Sequence, residues 1–174
     1  MDDRAMLSNQ NESPGIRVAE PAIYLDADAC PVKDAVYKVA ERYQIPVYVV
    51  ANAPMRTPSA SASLRIRLVV VPGALDAADD WIAERATTRD LVLTADIPLA
   101  SRTATRGIRT LDFRGREFTA ASIGNALASR EISAFLRSIG ETGGGPPPFS
   151  QKERSKFASL LDNVVSAMAR QRDA

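Results

Sequence analysis

The sequence predicts an open α/β protein, a parallel sheet with helices on both faces, and three observations carry that prediction. Apolar runs of strand length recur at residues 22–25, 47–50, 66–71, 91–94 and 108–111. Stretches of helical period lie between several of them. The strands also give way to acids, asparagine, glycine or proline, which are turn and helix-start residues. Strands alternating with helices imply right-handed crossovers and a parallel sheet. With the first and fourth strands as neighbours the order is about 3-2-1-4-5, and ligands then bind at the carboxyl ends of the strands, where the order reverses.

Each element has its own warrant. Residues 1–20 are polar and aperiodic, so a disordered leader is expected, followed by a single α/β domain over 21–174 with a C-terminal helical extension. Ile23, Tyr24 and Leu25 suit a central strand, which closes on Asp26 and Asp28. Pro31 suits the first position of the helix that follows. A carboxylate closing an apolar strand, as Asp26 does, is costly to desolvate unless something positive meets it. Asp28 has two readings, a site acid or the cap of the next helix. That helix, 32–43, buries Ala35, Val36, Val39, Ala40 and Tyr43, turns Lys38, Glu41 and Arg42 outward, and ends at Ile45-Pro46.

The second strand, 47–50, leads to Asn52 at the same sheet edge as Asp26. Asn52 suits a turn, or the orientation of a water or phosphate. A Ser/Ala-rich loop to Ser63 follows, and then a third strand ending at Pro72-Gly73. Next, Asp76, Asp79 and Asp80 stand at helical spacing on one side of a helix start. One or two acids there would answer the helix dipole, but three repel one another and make a bound cation a credible partner. The fourth strand closes on Asp96, with Pro98 near the next helix start, repeating the Asp26 arrangement. A short helix to Gly107 precedes the fifth strand. Residues 119–139 read as helix, with Ile123, Leu127, Ile132, Phe135, Leu136 and Ile139 inward. The Gly143–Pro148 run reads as a hinge, since no lysine and hydroxyl residue of a phosphate loop follows it. Ser150 with Glu153 forms a capping box for a last helix that buries Phe157, Leu160, Leu161, Val164 and Val165, its start made basic by Lys152, Arg154 and Lys156.

Composition narrows the chemistry. The chain has no histidine and one cysteine, which removes histidine-dependent nucleophilic catalysis, the usual zinc sets and an internal disulfide. Cys30 reads as a small buried residue, and no apolar run is long enough for a membrane span, so a reducing cytoplasm is expected. Carboxylates remain, and they are hard oxygen ligands for Mg²⁺ or Mn²⁺. Residues 1–100 hold 10 basic and 14 acidic side chains and residues 101–174 hold 12 and 7. An acidic half beside a basic half suits a metal site with an anionic substrate.

Asp26-Ala27-Asp28-Ala29-Cys30-Pro31-Val32-Lys33, the Asn52 turn, Gly73 through Asp76-Ala77-Ala78-Asp79-Asp80-Trp81-Ile82, Thr94-Ala95-Asp96-Ile97-Pro98-Leu99-Ala100 and the Gly-Pro-rich stretch before Ser150 together resemble the YaiI/YqxD family of bacterial proteins. The likeness runs from about Ile23 to Leu161. That family is similar to PIN-like domains, mostly Mg²⁺- or Mn²⁺-dependent nucleases. The resemblance implies that Asp26, Asp79 and Asp96 are the metal-holding acids, with Asp28 and Asp80 in supporting catalytic positions. The expected reaction is metal-assisted phosphodiester hydrolysis on nucleic acid, single-stranded RNA in preference to DNA. Lys33, Arg56 and Arg102 lie in segments within reach of a substrate backbone, as does Asn52. Two alternatives stay open: RNA binding without catalysis, and a phosphatase with Asp26 as nucleophile, against which Cys30 stands where that motif wants threonine.

Overall fold

A computed structural model of the chain describes residues 20–28, 30–59, 61, 63–138 and 149–174, without the side chains of 131, 132 and 134–138. The expected leader, the Gly143–Pro148 run and the inward positions Ile132, Phe135, Leu136 and Ile139 therefore lie outside what is described.

Among the described residues six strands form one sheet: β1 Ile23–Asp26, β2 Val47–Ala51, β3 Ile66–Val70, β4 Leu91–Leu93, β5 Arg109–Leu111 and β6 Glu117–Phe118. Their order is β3-β2-β1-β4-β5-β6. Pairings are parallel from β3 to β5, and β6 runs antiparallel to β5. Five helices are described, α1 Lys33–Tyr43, α2 Ala77–Arg85, α3 Ile97–Ala104, α4 Ala120–Ser138 and α5 Gln151–Asp173.

The two faces of the sheet follow from the period of two along each strand. Ile23, Leu25, Val47, Val49, Ala51, Leu91 and Leu93 point to one side, where α1 and α5 close the core with Val36, Val39, Phe157, Leu161 and Val165. Tyr24, Val50 and Val92 point to the other, against Ala78, Ile82 and Ala83 of α2 and Leu99 of α3. Strands buried on both faces are what near-continuous apolar runs predict. On that second side α4 packs on α3 through Ile123 and Ala100.

Three details differ from the sequence reading. The Cys30 N–H closes a turn on the Ala27 carbonyl at 3.4 Å, Pro31 follows it in a further turn, and α1 starts two residues after Pro31. The N-cap of α1 is Val32, which makes no side-chain capping bond, so Asp28 is not the cap. The helix ends at Gln44 with φ 54°, a left-handed cap set by the chain's turn toward buried Ile45. The sixth strand was not expected, because two residues show no periodicity. It is made by the tight turn after β5, in which the Asp112 carboxylate accepts from the Arg114 and Arg116 N–H groups at 2.9 and 2.7 Å. Gly115 completes that turn at φ 83°.

Candidate active site at the carboxyl edge of the sheet

The chain leaves β1 toward β2 and β3 on one side, and β4 lies on the other, so the strand order reverses between β1 and β4. Loops diverge above such a point and leave a crevice. Asp26 is the last residue of β1 and Asp96 is the N-cap of α3, two residues beyond Thr94 at the end of β4.

Thr94 joins the two acids. Its hydroxyl, fully buried, donates to Asp26 Oδ2 at 2.7 Å and accepts from the Asp96 N–H at 2.9 Å. Asp96 Oδ1 accepts from the Leu99 N–H at 2.8 Å, so this acid both caps α3 and is fixed in the crevice. Pro98 in the first turn of α3 explains why the helix begins there.

Asp79 comes from the first turn of α2, one turn after the N-cap Asp76. Its half-buried carboxyl is raised from 3.8 to about 7, first by burial and then by the charges of Asp96, Asp26, Asp76 and Asp80. Asp26 is also raised, by burial and by Asp96 and Asp28, against the lowering effect of the Thr94 hydrogen bond. Asp26, Asp79 and Asp96 therefore share one electrostatic neighbourhood. Two other acids turn to different partners. Asp28, exposed, accepts from the Asn52 N–H at 3.2–3.3 Å, and Asp80, exposed, is paired with Arg102 at 2.5 Å.

The expected substrate-binding residues divide in the same way. Lys33 opens α1, its Nζ donating to the Cys30 carbonyl at 3.2 Å. Arg56 is exposed in the loop after β2. Arg102 is engaged by Asp80. Asn52 holds Asp28 through its backbone, and its own Oδ1 is buried with no hydrogen-bond partner among the described residues. Cys30 is buried, and burial pushes its thiol up to about 11, which removes it as a nucleophile at neutral pH.

Among the described residues no three Asp, Glu, Cys or His side chains form a ready-made metal cage. Mg²⁺ does not need one: it keeps several waters and takes one or two carboxylates directly. The like charge around Asp79 is the environment a divalent cation relieves, so the donor set of Asp26, Asp79 and Asp96 fits a water-rich hard cation. The residue missed at the sequence level is Thr94. A threonine ending a strand carries no signal beyond β propensity.

Comparison with known proteins gives the family. Residues 24–167 match the family described as "Uncharacterized BCR, YaiI/YqxD family". A UPF0178 protein of Rhodospirillum centenum is 49% identical over 154 residues, 86% of this chain and 98% of that one. A UPF0178 protein of Rhodopseudomonas palustris is 50% identical over 158 residues, 89% and 94% of the two chains. One from Brucella ovis is 49% identical over 148 residues, 85% and 91%. No solved structure matches.

Proposed function

The chain belongs to the YaiI/YqxD family, and from that premise and the crevice between β1 and β4 we propose that it is a divalent-cation-dependent hydrolase of phosphodiester bonds in nucleic acid, single-stranded RNA favoured. The observation that carries the reading is the Thr94 hydroxyl joining Asp26 to Asp96 where the strand order reverses, with the half-buried Asp79 carboxyl raised by both acids. Carboxyls raised together by burial and by one another at a ligand-binding edge are a pattern that functional sites favour. The resemblance to PIN-like domains supports the same choice.

In this reading Asp26, Asp79 and Asp96 hold Mg²⁺ or Mn²⁺. The bound ion supplies charge neutralisation on the phosphoryl oxygens and activation of water. Thr94 keeps Asp26 and Asp96 in register. Asp28 and Asp80, oriented by Asn52 and Arg102, flank the site. Lys33 and Arg56 meet the substrate phosphates. Water attacks phosphorus, the phosphorus–oxygen bond breaks, and the departing oxygen leaves as a hydroxyl. Among the described residues no helix is long and apolar enough to cross a membrane, and the lone cysteine is unpaired; both support a cytoplasmic place.

The test is Asp26→Asn, which removes a ligand charge and almost no volume. Purified protein is assayed with Mn²⁺ and a chelator control on single-stranded RNA, single-stranded DNA and a small phosphomonoester. The wild type is expected to cleave RNA only with the metal, and the variant to lose cleavage while melting cooperatively. Equal cleavage by both would mean a contaminant. Binding without turnover by either would replace hydrolysis with an RNA-binding role, and turnover of the monoester alone would select the phosphatase.

A further inference from the structure

The N-terminal half of α1 and the start of α5 lie side by side at the carboxyl edge. Arg154 Nη1 donates to the Pro31 carbonyl at 2.7 Å, Arg42 Nη1 meets Asp162 at 2.5 Å, and Arg172 Nη1 donates to the Tyr43 and Gln44 carbonyls at 3.0 and 3.1 Å. The two helices therefore run parallel. Between them is a cleft of about 890 Å³, held open where Ala35, Ser155, Ala158 and Ser159 are too small to fill it. No role has yet been given to it, and Lys38 and Arg154 in its walls belong to none of the positions assigned above.

Its lining carries more cations than anions. Lys33, Lys38, Arg42 and Arg154 line it, against Asp34 and Asp162. Asp162 is already taken by Arg42 and by the Tyr43 hydroxyl at 3.1–3.2 Å. Lys38 is exposed with no hydrogen-bond or ion-pair partner among the described residues. With the Arg42–Asp162 pair cancelled, Lys33, Lys38 and Arg154 stand against Asp34, and the exposed Ser155 and Ser159 add hydroxyls. The cleft begins at Cys30, Pro31 and Lys33, in the segment that follows Asp28 and the end of β1. A basic channel that opens beside an acidic crevice fits a polyanion whose backbone is gripped along its length and presented at one end.

We propose that the α1–α5 cleft is the track for the sugar-phosphate backbone of single-stranded nucleic acid, with Lys38 and Arg154 as phosphate contacts leading to the carboxylates at the end of β1. The inference rests on the proposed hydrolysis only for its destination, since the cleft binds whether or not the crevice cuts. An acidic peptide would meet the same cations and is the competing occupant.

The experiment is fluorescence anisotropy of a labelled RNA of about 12 nucleotides, within the usual span of single-strand sites, with the full chain in chelator at several salt concentrations. Lys38→Gln, Arg154→Gln and the double variant are compared with Arg89→Gln, which removes one exposed charge from the turn before β4 at the opposite edge. The double variant is expected to bind roughly tenfold more weakly, with the salt slope shallower by about 0.7 per cation removed. Arg89→Gln should match the wild type. Because Lys38 makes no bond that folding needs, Lys38→Gln alone must show part of the loss. Wild-type affinity in both Lys38→Gln and the double variant overturns the track, as does an equal loss in Arg89→Gln, an absence of RNA binding, or equal competition by polyglutamate. Loss of binding in the double variant with no cleavage by the wild type keeps the track and removes the hydrolase. Cleavage by the wild type with unaltered binding and cleavage in the double variant does the opposite.

Discussion

Asp79 is the residue whose ionisation the fold resists most visibly. Its carboxyl moves from 3.8 to about 7 through burial and through Asp96, Asp26, Asp76 and Asp80. Between those two pH values the folded chain holds a proton that the unfolded chain has released. The metal-free protein therefore loses stability as pH rises from about 4 to about 7, with Asp26 acting in the same direction. Asp79→Asn should raise the melting temperature at pH 7.5 and change it little at pH 4.5. Mg²⁺ or Mn²⁺ competes with that proton, so it should stabilise the wild type more at pH 7.5 than at pH 5, and Asp96→Asn should blunt the effect; identical metal responses in wild type and Asp96→Asn would remove Asp96 from the site. Thr94 is tested by isosteric replacement: Thr94→Val should weaken Mn²⁺ binding by calorimetry about 10- to 100-fold, the usual loss for a group that orients ligands, with Thr94→Ser restoring it. The acids themselves were legible because a carboxylate at the end of an apolar run is conspicuous. Thr94 was not, since its role lies in the pairing of β1 with β4 and not in its local pattern.

At the level of elements, the same residue type does opposite work at the two edges of the sheet. Asp90, buried ahead of β4, accepts from the Ala22 N–H at 2.9 Å and from the Thr87 N–H and hydroxyl at 2.8 and 2.9 Å. The Thr87 bonds close the turn on itself and the Ala22 bond ties it to the start of β1, so Asp90 is structural. Asp90→Ala should cost about 2–4 kcal/mol in urea unfolding, because it orphans buried donors, while leaving RNA cleavage and binding by the remaining folded protein unchanged. Helix faces were legible for the parts that packing reinforces: Val36, Val39, Ala40, Phe157, Leu161, Val164 and Val165 are all buried as their spacing predicts, and the Ser150–Glu153 capping box is formed. What spacing could not show was Tyr37, also buried, and the start of α1, which comes two residues past Pro31 after two successive turns. Local signals predict that a helix begins; the turns ahead of it decide where.

For the molecule as a whole, α5 is not an appendage to the α/β sheet. Phe157, Leu161 and Val165 are fully buried and Val164 and Met168 nearly so, all in the same core as β1, β2 and α1. At about 1.5–3 kcal/mol for each large apolar side chain withdrawn from water, their burial is comparable with the entire stability of an ordinary domain, about 5–15 kcal/mol. The sequence placed α5 at the C-terminal end of a single domain with an apolar face, and what spacing could not name was the partner of that face, the β1, β2 and α1 core. Removing residues 149–174 should therefore abolish the cooperative thermal transition and weaken the far-ultraviolet circular dichroism by more than one helix's share. A truncated chain that still melted cooperatively at a temperature near the wild type's would show instead that β1, β2 and α1 close their core without α5. The α1–α5 cleft would then be a surface groove of an independent domain, and not a channel built by the element that completes the fold.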